Sequence, residues 1–239
     1  MKKNDFLVVR HSYDDHSFID GKNDTGLTLK GVEIAKEAAV NILHQIDSGR
    51  VIVRHSTKVR ARETAEILME ELVKNNINCQ SIADRGLTEL FQGDFDFGDM
   101  LHSERVDFLQ SCWDDFEACR MQGDLSHRFG QNKNPNVILK PGENHAEWSA
   151  RIASGVLNII GDLEQSCQSV NITHRGAIFE IENIIKMVNA IITYDEVEQY
   201  KTVWMRYCQD QTLHINDLEK AKVLTKKYIY QRSKNENNN

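Results

Sequence analysis

Proline is almost missing from this sequence: Pro135 and Pro141 are the only two among 239 residues, and both lie near the end of one stretch. No proline-rich linker and no domain-length repeat divides the chain, so one domain is expected. Paired cysteines are missing as well. Cys79, Cys112, Cys119, Cys167 and Cys208 are odd in number and contain no CxxC. Reduced thiols in a cytoplasmic protein fit this better than a disulfide framework. No apolar run approaches the roughly 18–20 residues of a membrane span. The apolar part of the opening "MKKNDFLVVR" covers only Phe6 to Val9, too short for a secretion signal. Cations are in deficit, with 29 Lys and Arg against 36 Asp and Glu and a net charge of -7. That balance argues against nucleic acid and against an anionic membrane surface as partners.

What is present is an ordinary globular composition, 40% hydrophobic and 27% charged. A chain of this length should bury roughly 70% of its unfolded surface. Phe6 to Val9 is short, apolar and β-branched and runs into Arg10, His11 and Ser12, as a buried parallel strand does. From Thr28, Ile34, Ala35, Ala38, Ala39, Ile42, Leu43 and Ile46 recur at spacings of three and four, predicting a helix that Gly49 stops. Val51 to Val53 reads as a second strand, and a helix from about Lys58 turns Ala61, Ala65, Leu68 and Leu72 inward. Helical pattern resumes over 143–160, a strand is expected at Val170 to Thr173, a helix over 176–190, and an additional strand at Val203 to Tyr207. This alternation predicts right-handed βαβ units and an α/β fold: a three-layer α/β/α sandwich with a mainly parallel central sheet. Residues 91–147 break the rhythm, mixing aromatics, charges and glycines around a helix-like stretch from Val106 to Met121, and read as a cap-like insertion. The domain is expected over 1–232, with 233–239, "SKNENNN", disordered.

Ligands of open α/β sheets bind outside the carboxyl ends of the strands. Three polar clusters fall there: Arg10-His11, Arg54 to Arg62, and His174-Arg175-Gly176. Arginine presents a rigid fork suited to phosphate, and histidine can act as nucleophile or donor near neutral pH. His16, His44, His102, His127, His145 and His214 lack metal-ligand spacing. The expected ligand is a small phosphorylated molecule, with no cofactor and no metal; a homodimer is left open.

Six segments in order carry a resemblance. They are "VVRHS" at 8–12, "GLTLKG" at 26–31, "STKVRARETA" at 56–65, "LTELFQGDFDFG" at 87–98, "PGENHAEWSAR" at 141–151 and "VNITHRG" at 170–176. The chain resembles the histidine phosphatase superfamily, the phosphoglycerate mutase-like enzymes. The resemblance implies a metal-independent phosphomonoesterase in which His11 is the nucleophile that accepts the phosphoryl group. Arg10, Arg60 and His174 would hold the transferring oxygens, and Glu89 would act as general acid and base. Substrate contacts would fall to Arg10, Ser12, Arg60, His174, Arg175 and Gly176, the backbone amide of Arg175 or Gly176 adding a further oxyanion donor at a helix start.

The pattern has departures and rivals. Ser12 stands where the family usually has Gly, Arg175 replaces the usual Gly after the second histidine, and the loop "YDDHSFIDGKND" lacks the pattern of the mutases. "VRHS" recurs at 53–56, so His55 competes with His11; only the first copy has the N-terminal place and a downstream "LTLKG". Asp84, Asp94 and Asp96 lie near Glu89 in sequence. Arg62 is expected to be solvated or paired with Glu66, Glu143 to cap its helix, and Arg151 to be solvated or buttressing. Two other functions stay open: a phosphoglycerate-mutase-like phosphotransferase, and a non-catalytic phospho-ligand or protein-binding module.

Overall fold

The computed structural model describes residues 4–14, 24–47, 49–190 and 209–235. Its elements are β1 (Asp5–Arg10), α1 (Leu29–Leu43), β2 (Arg50–His55), α2 (Val59–Lys74), β3 (Asn78–Ala83), β4 (Gly93–Phe95), α3 (His102–Met121), β5 (Ile138–Pro141), α4 (His145–Glu164), β6 (Gln168–Thr173), α5 (Arg175–Val188), β7 (Asp210–His214) and α6 (Leu218–Asn235). A short 3₁₀ turn, Arg85–Leu87, follows β3. Five strands form one sheet in the order β3-β2-β6-β1-β7. β3, β2, β6 and β1 pair in parallel, and β7 closes one edge antiparallel to β1.

The alternation of side chains along the strands builds two cores. Leu7, Val9, Val51, Val53, Val170 and Ile172 share one cluster with α1 and α2. Phe6 and Val8 face the other way, into a larger cluster with Ile152, Val156 and Ile159 of α4, Ile181 of α5 and Tyr228 of α6. With side chains on both faces worth roughly 1.5–3 kcal/mol each when fully buried, the central strands cannot slip by one residue without inverting both cores. The result is a mainly parallel sheet between two helical layers. Within 91–147, β4 and β5 pair as a separate two-stranded sheet beside α3.

α1 begins as the sequence predicts: Thr28 is its N-cap, and its hydroxyl accepts from the Gly31 N–H at 3.0 Å. Gly31 has a second reason to be glycine, because a Cβ there would meet the Tyr13 carbonyl at 2.0 Å. The helix stops at Leu43 rather than at Gly49, which instead opens β2 with φ 152. β3 is absent from the sequence reading because Gln80, Ser81 and Ala83 give no apolar alternation; it is an edge strand with most of its side chains in solvent. α6 runs to Asn235, past the start of the tail expected at 233, held by buried Arg232 and by the Ser233 hydroxyl on the Ile229 carbonyl at 3.0 Å. The strand expected at Val203 to Tyr207 lies outside the described residues. Among the described residues no helix is long and apolar enough to cross a membrane, and four cysteines, Cys79, Cys112, Cys119 and Cys167, are free thiols.

Candidate active site

β1, β6 and β2 are neighbours and end level: Arg10 lies opposite Thr173, and His55 opposite Ile172. Each ladder gains one more rung, from the His11 N–H to the Thr173 carbonyl and from the Ser56 N–H to the Ile172 carbonyl, both at 2.9 Å. His11, Ser56 and His174 therefore sit side by side past the carboxyl ends of three adjacent strands, all buried.

Their hydrogen bonds set the tautomers. His11 Nδ1 is 2.7 Å from the Ser12 carbonyl, which can only accept, so the proton is on Nδ1 and the lone pair on Nε2. That nitrogen faces Arg60 Nε at 3.2 Å, a group that can only donate. The same guanidinium reaches His174 Nδ1 at 3.3 Å, which leaves His174 Nε2 to donate to Ser56 Oγ at 2.8 Å. One arginine thus addresses two neutral imidazoles whose centroids are 4.9 Å apart. Burial first, and then coupling to the neighbouring His11 imidazole and the charges of Arg60, Lys58 and Arg10, hold His174 well below the ordinary histidine range. A bound dianion reverses the electrostatic part of that effect.

Arg60 is seated by acids that the sequence reading did not single out. Asp14, 2% exposed, lies 3.5 Å from Arg60 Nε, and Asp24 lies 3.6 Å from Arg60 Nη1. Asp24 also accepts from the Val59 N–H at 2.8 Å, serving the start of α2, where the N-cap Lys58 makes no side-chain bond. Only a fold that brings Asp14 and Asp24 to α2 reveals either role. Arg10 is buried as the last residue of β1 and acts on His174 through its charge. Ser12 is wholly buried, with its hydroxyl given to the Gly31 carbonyl at 2.6 Å and its N–H to Thr64 Oγ1 at 3.0 Å; both atoms tie β1 to the flanking helices.

Glu89 arrives from the segment after the 3₁₀ turn. Its carboxylate accepts from the Gly176 N–H at 3.2 Å and from its neighbour Leu90 N–H at 3.1 Å. The Gly176 amide, expected to face an oxyanion, is here given to Glu89. A Cβ at Gly176 would stand 2.6 Å from Glu89 Oε1, so glycine at this place makes room for the acid. The backbone under Glu89 is strapped by Arg151, which donates to the carbonyls of Arg85 and Thr88 at 2.8 Å each and of Glu89 at 3.1 Å. Glu143 holds that arginine at 2.6 and 2.8 Å and also accepts from the Phe91 N–H at 2.9 Å. The cap of α4 is Asn144, paired with Glu147, and not Glu143.

The remaining sequence candidates are placed elsewhere. Arg54 is a strut from β2 to Asp162 at 2.6 Å and Asp84 at 3.4 Å. Arg62 pairs with Glu66 at 3.6 Å in solvent. His55 copies the local bond of His11, with Nδ1 on the Ser56 carbonyl at 2.9 Å, but the imidazoles that Arg60 addresses are His11 and His174. Asp94 and Asp96 leave with β4, and the Asp84 carboxylate caps the 3₁₀ turn through the Gly86 N–H at 2.8 Å. Away from this edge, Asp115, Cys119 and His127 bring ligand atoms within 4.8 Å of one another. His127 Nε2 is already bonded to Asp115 at 3.0 Å, and Lys133 stands 3.9 Å from the same carboxylate. Beside Glu89, Arg175 and Gly176 opens a pocket of about 180 Å³ roofed from α3 and α4.

A model of the histidine phosphatase superfamily (branch 1) matches residues 6–181. No curated relative matches the sequence. Among solved structures, the chain is similar to a mycobacterial glucosyl-3-phosphoglycerate phosphatase, at 19% identity and a TM-score of 0.60 over 91% of this chain and 94% of that one. It is also similar to a putative alpha-ribazole-5'-P phosphatase from Escherichia coli (18% identity, TM-score 0.54, 90% and 92% covered). A third is a phosphoserine phosphatase mutant from Entamoeba histolytica bound to phosphoserine (16% identity, TM-score 0.52, 87% and 89% covered). At these identities the likeness is one of fold.

Proposed function

Because the chain belongs to the histidine phosphatase superfamily, we propose that it is a phosphomonoesterase that works through a phosphohistidine on His11, without a metal. The observation that carries this reading is the tautomer of His11. With Nδ1–H committed to the Ser12 carbonyl, the lone pair on Nε2 is aimed at the guanidinium of Arg60, the place where an anion would be held. When a phosphate monoester displaces the Arg60–His11 contact, Nε2 attacks phosphorus and the bond to the alcohol oxygen breaks. Glu89, entering as the carboxylic acid, gives its proton to that oxygen. Water then attacks the phosphohistidine, Glu89 takes the water proton, and inorganic phosphate leaves with His11 restored.

Arg60, Arg10 and His174 supply the transition-state charge. Phosphoryl transfer spreads negative charge over three equatorial oxygens, and fixed donors in a buried site stabilise it without reorganising. Splitting the displacement into two steps through nitrogen lowers each barrier. The membership and the phosphatases of similar fold support phosphatase chemistry; the roles of single residues rest on the geometry described above. The test is rapid-quench labelling with a radioactive phosphate ester. An acid-labile phosphoenzyme that disappears in His11→Ala is expected, and hydrolysis that persists unchanged in that variant overturns the reading.

A further inference from the structure

A buried carboxylate beside the arginine of an anion site is a contradiction in charge, and Asp14 is that carboxylate. Its backbone is pinned: Asp14 bridges antiparallel to Leu27, and the carbonyl of neighbouring Tyr13 accepts from the Thr28 N–H at 3.2 Å. The side chain is held 3.5 Å from Arg60 Nε. That nitrogen also faces His11 Nε2 at 3.2 Å, while Nη2 of the same fork faces His174 at 3.3 Å. An anion carried between the two histidines must take the edge of Arg60 formed by Nε and Nη2. It therefore meets Asp14 at a shared N–H.

The donors nearest along the chain do not offset this. The His11 N–H is given to the Thr173 carbonyl and its Nδ1–H to the Ser12 carbonyl, while the Ser12 N–H and hydroxyl go to Thr64 and Gly31. Asp24 is a different case. It faces Nη1, outside the edge turned to the histidines, and it also serves the Val59 N–H. Its side chain is 28% exposed against 3% for Asp14, so water screens Asp24 and hardly reaches Asp14. Like charges a few ångströms apart in a buried site repel several times more strongly than in water. Ester and free phosphate place their charge at the same spot, so Asp14 opposes both alike. Such a uniform effect moves KM and the phosphate inhibition constant together and leaves the chemical step little changed.

We infer that Asp14 sets the affinity of the anion site: it competes with phosphate for Arg60 and keeps free inorganic phosphate loosely held, so that the product leaves. Arg60 as the seat of the phosphoryl group comes from the phosphomonoesterase reading, on which this assignment rests. A competitor and a mere seat for Arg60 have opposite consequences. Removing a seat loosens the arginine and weakens phosphate binding; removing a competitor tightens it.

Calorimetric titration of the full chain with inorganic phosphate needs no turnover. Asp14→Asn, close to isosteric, should bind phosphate about tenfold tighter than the parent, and Asp14→Ser should move the same way. Asp24→Asn, at the screened position, should tighten it less. Should an Asp14 variant lose stability, thermal unfolding with and without phosphate reads the same equilibrium from the stabilisation that the ligand brings. In hydrolysis of p-nitrophenyl phosphate, KM and the inhibition constant of phosphate should fall together in Asp14→Asn, by more than kcat changes. Phosphate binding that is weaker or unchanged in both Asp14 variants overturns the assignment. If that result comes with ester hydrolysis by the parent, the phosphatase reading stands and Asp14 only seats Arg60. If both variants bind phosphate more tightly and no ester is hydrolysed by any of the proteins, the assignment of Asp14 holds and the phosphatase reading fails.

Discussion

At the scale of single residues, one glycine separates function from stability. Gly176 lies in the first turn of α5, and alanine is the better helix former by up to about 1 kcal/mol. The only obstacle to a Cβ there is the movable end of Glu89. Gly176→Ala should therefore fold at least as stably as the parent while kcat drops about ten- to a hundredfold, since small misplacements of a catalytic group cost that much. Thermal unfolding and steady-state kinetics check both halves; a fall in stability without loss of kcat contradicts the placement of Glu89. His11, His174 and Arg60 were legible in the sequence because their motifs stand in a fixed order along the chain. Asp14 and Asp24 were not, since their partner, Arg60, is far along the chain and nothing local marks the meeting. Ser12 stands beside His11 in sequence, and the structure shows its hydroxyl and N–H bonded to α1 and α2, partners that no local pattern announces.

At the scale of elements, the strap from α4 to the segment bearing Glu89 matters most. Arg151 holds three carbonyls and Glu143 together, and side chains on both sides of that ion pair are at most 20% exposed. Arg151→Met leaves a half-buried carboxylate and three unpaired carbonyls, a loss of about 1–3 kcal/mol. It also loosens the turn on which Glu89 rides, so kcat should fall more than tenfold with KM within about threefold. Unfolding in denaturant and a kcat-against-KM comparison test this, and an unchanged kcat shows that the strap serves stability alone. The strands and helices with strong apolar periodicity, β1, β2, β6, α1 and α2, were readable because both faces of the sheet are buried. β3 and the β4–β5 pair escaped for the opposite reason: they are short or lie at an edge, and few of their side chains are buried deeply enough to impose a pattern.

At the scale of the whole molecule, a net charge of -7 coexists with a site built on Arg10, Arg60 and two histidines. The acidic surplus bears on extended polyanions, while a phosphate-sized anion meets only the local field. Two buried imidazoles also tie stability to pH. Burial, with nearby cations, holds both His174 and His145 well below the ordinary histidine range. The unfolded chain takes up protons on these groups near pH 6.5, and the folded protein does so only at lower pH. Stability should therefore be highest above about pH 6.5 and fall as the pH drops below it, by up to about 1.4 kcal/mol per pH unit for each group. Denaturant unfolding at pH 7.5 and 5.5 measures this; inorganic phosphate, which favours the cationic form of His174, should shrink the difference. Stability that rises toward pH 5.5 in phosphate-free buffer contradicts the neutral assignment. The most direct test of the chemistry remains the phosphoenzyme. Quenched within milliseconds of mixing with a labelled phosphate ester, the protein should carry acid-labile, base-stable phosphate on His11, and none in His11→Ala, while His55→Ala keeps the label. Label on His55, or turnover by His11→Ala at the parental rate, would contradict a nucleophile placed at the end of β1.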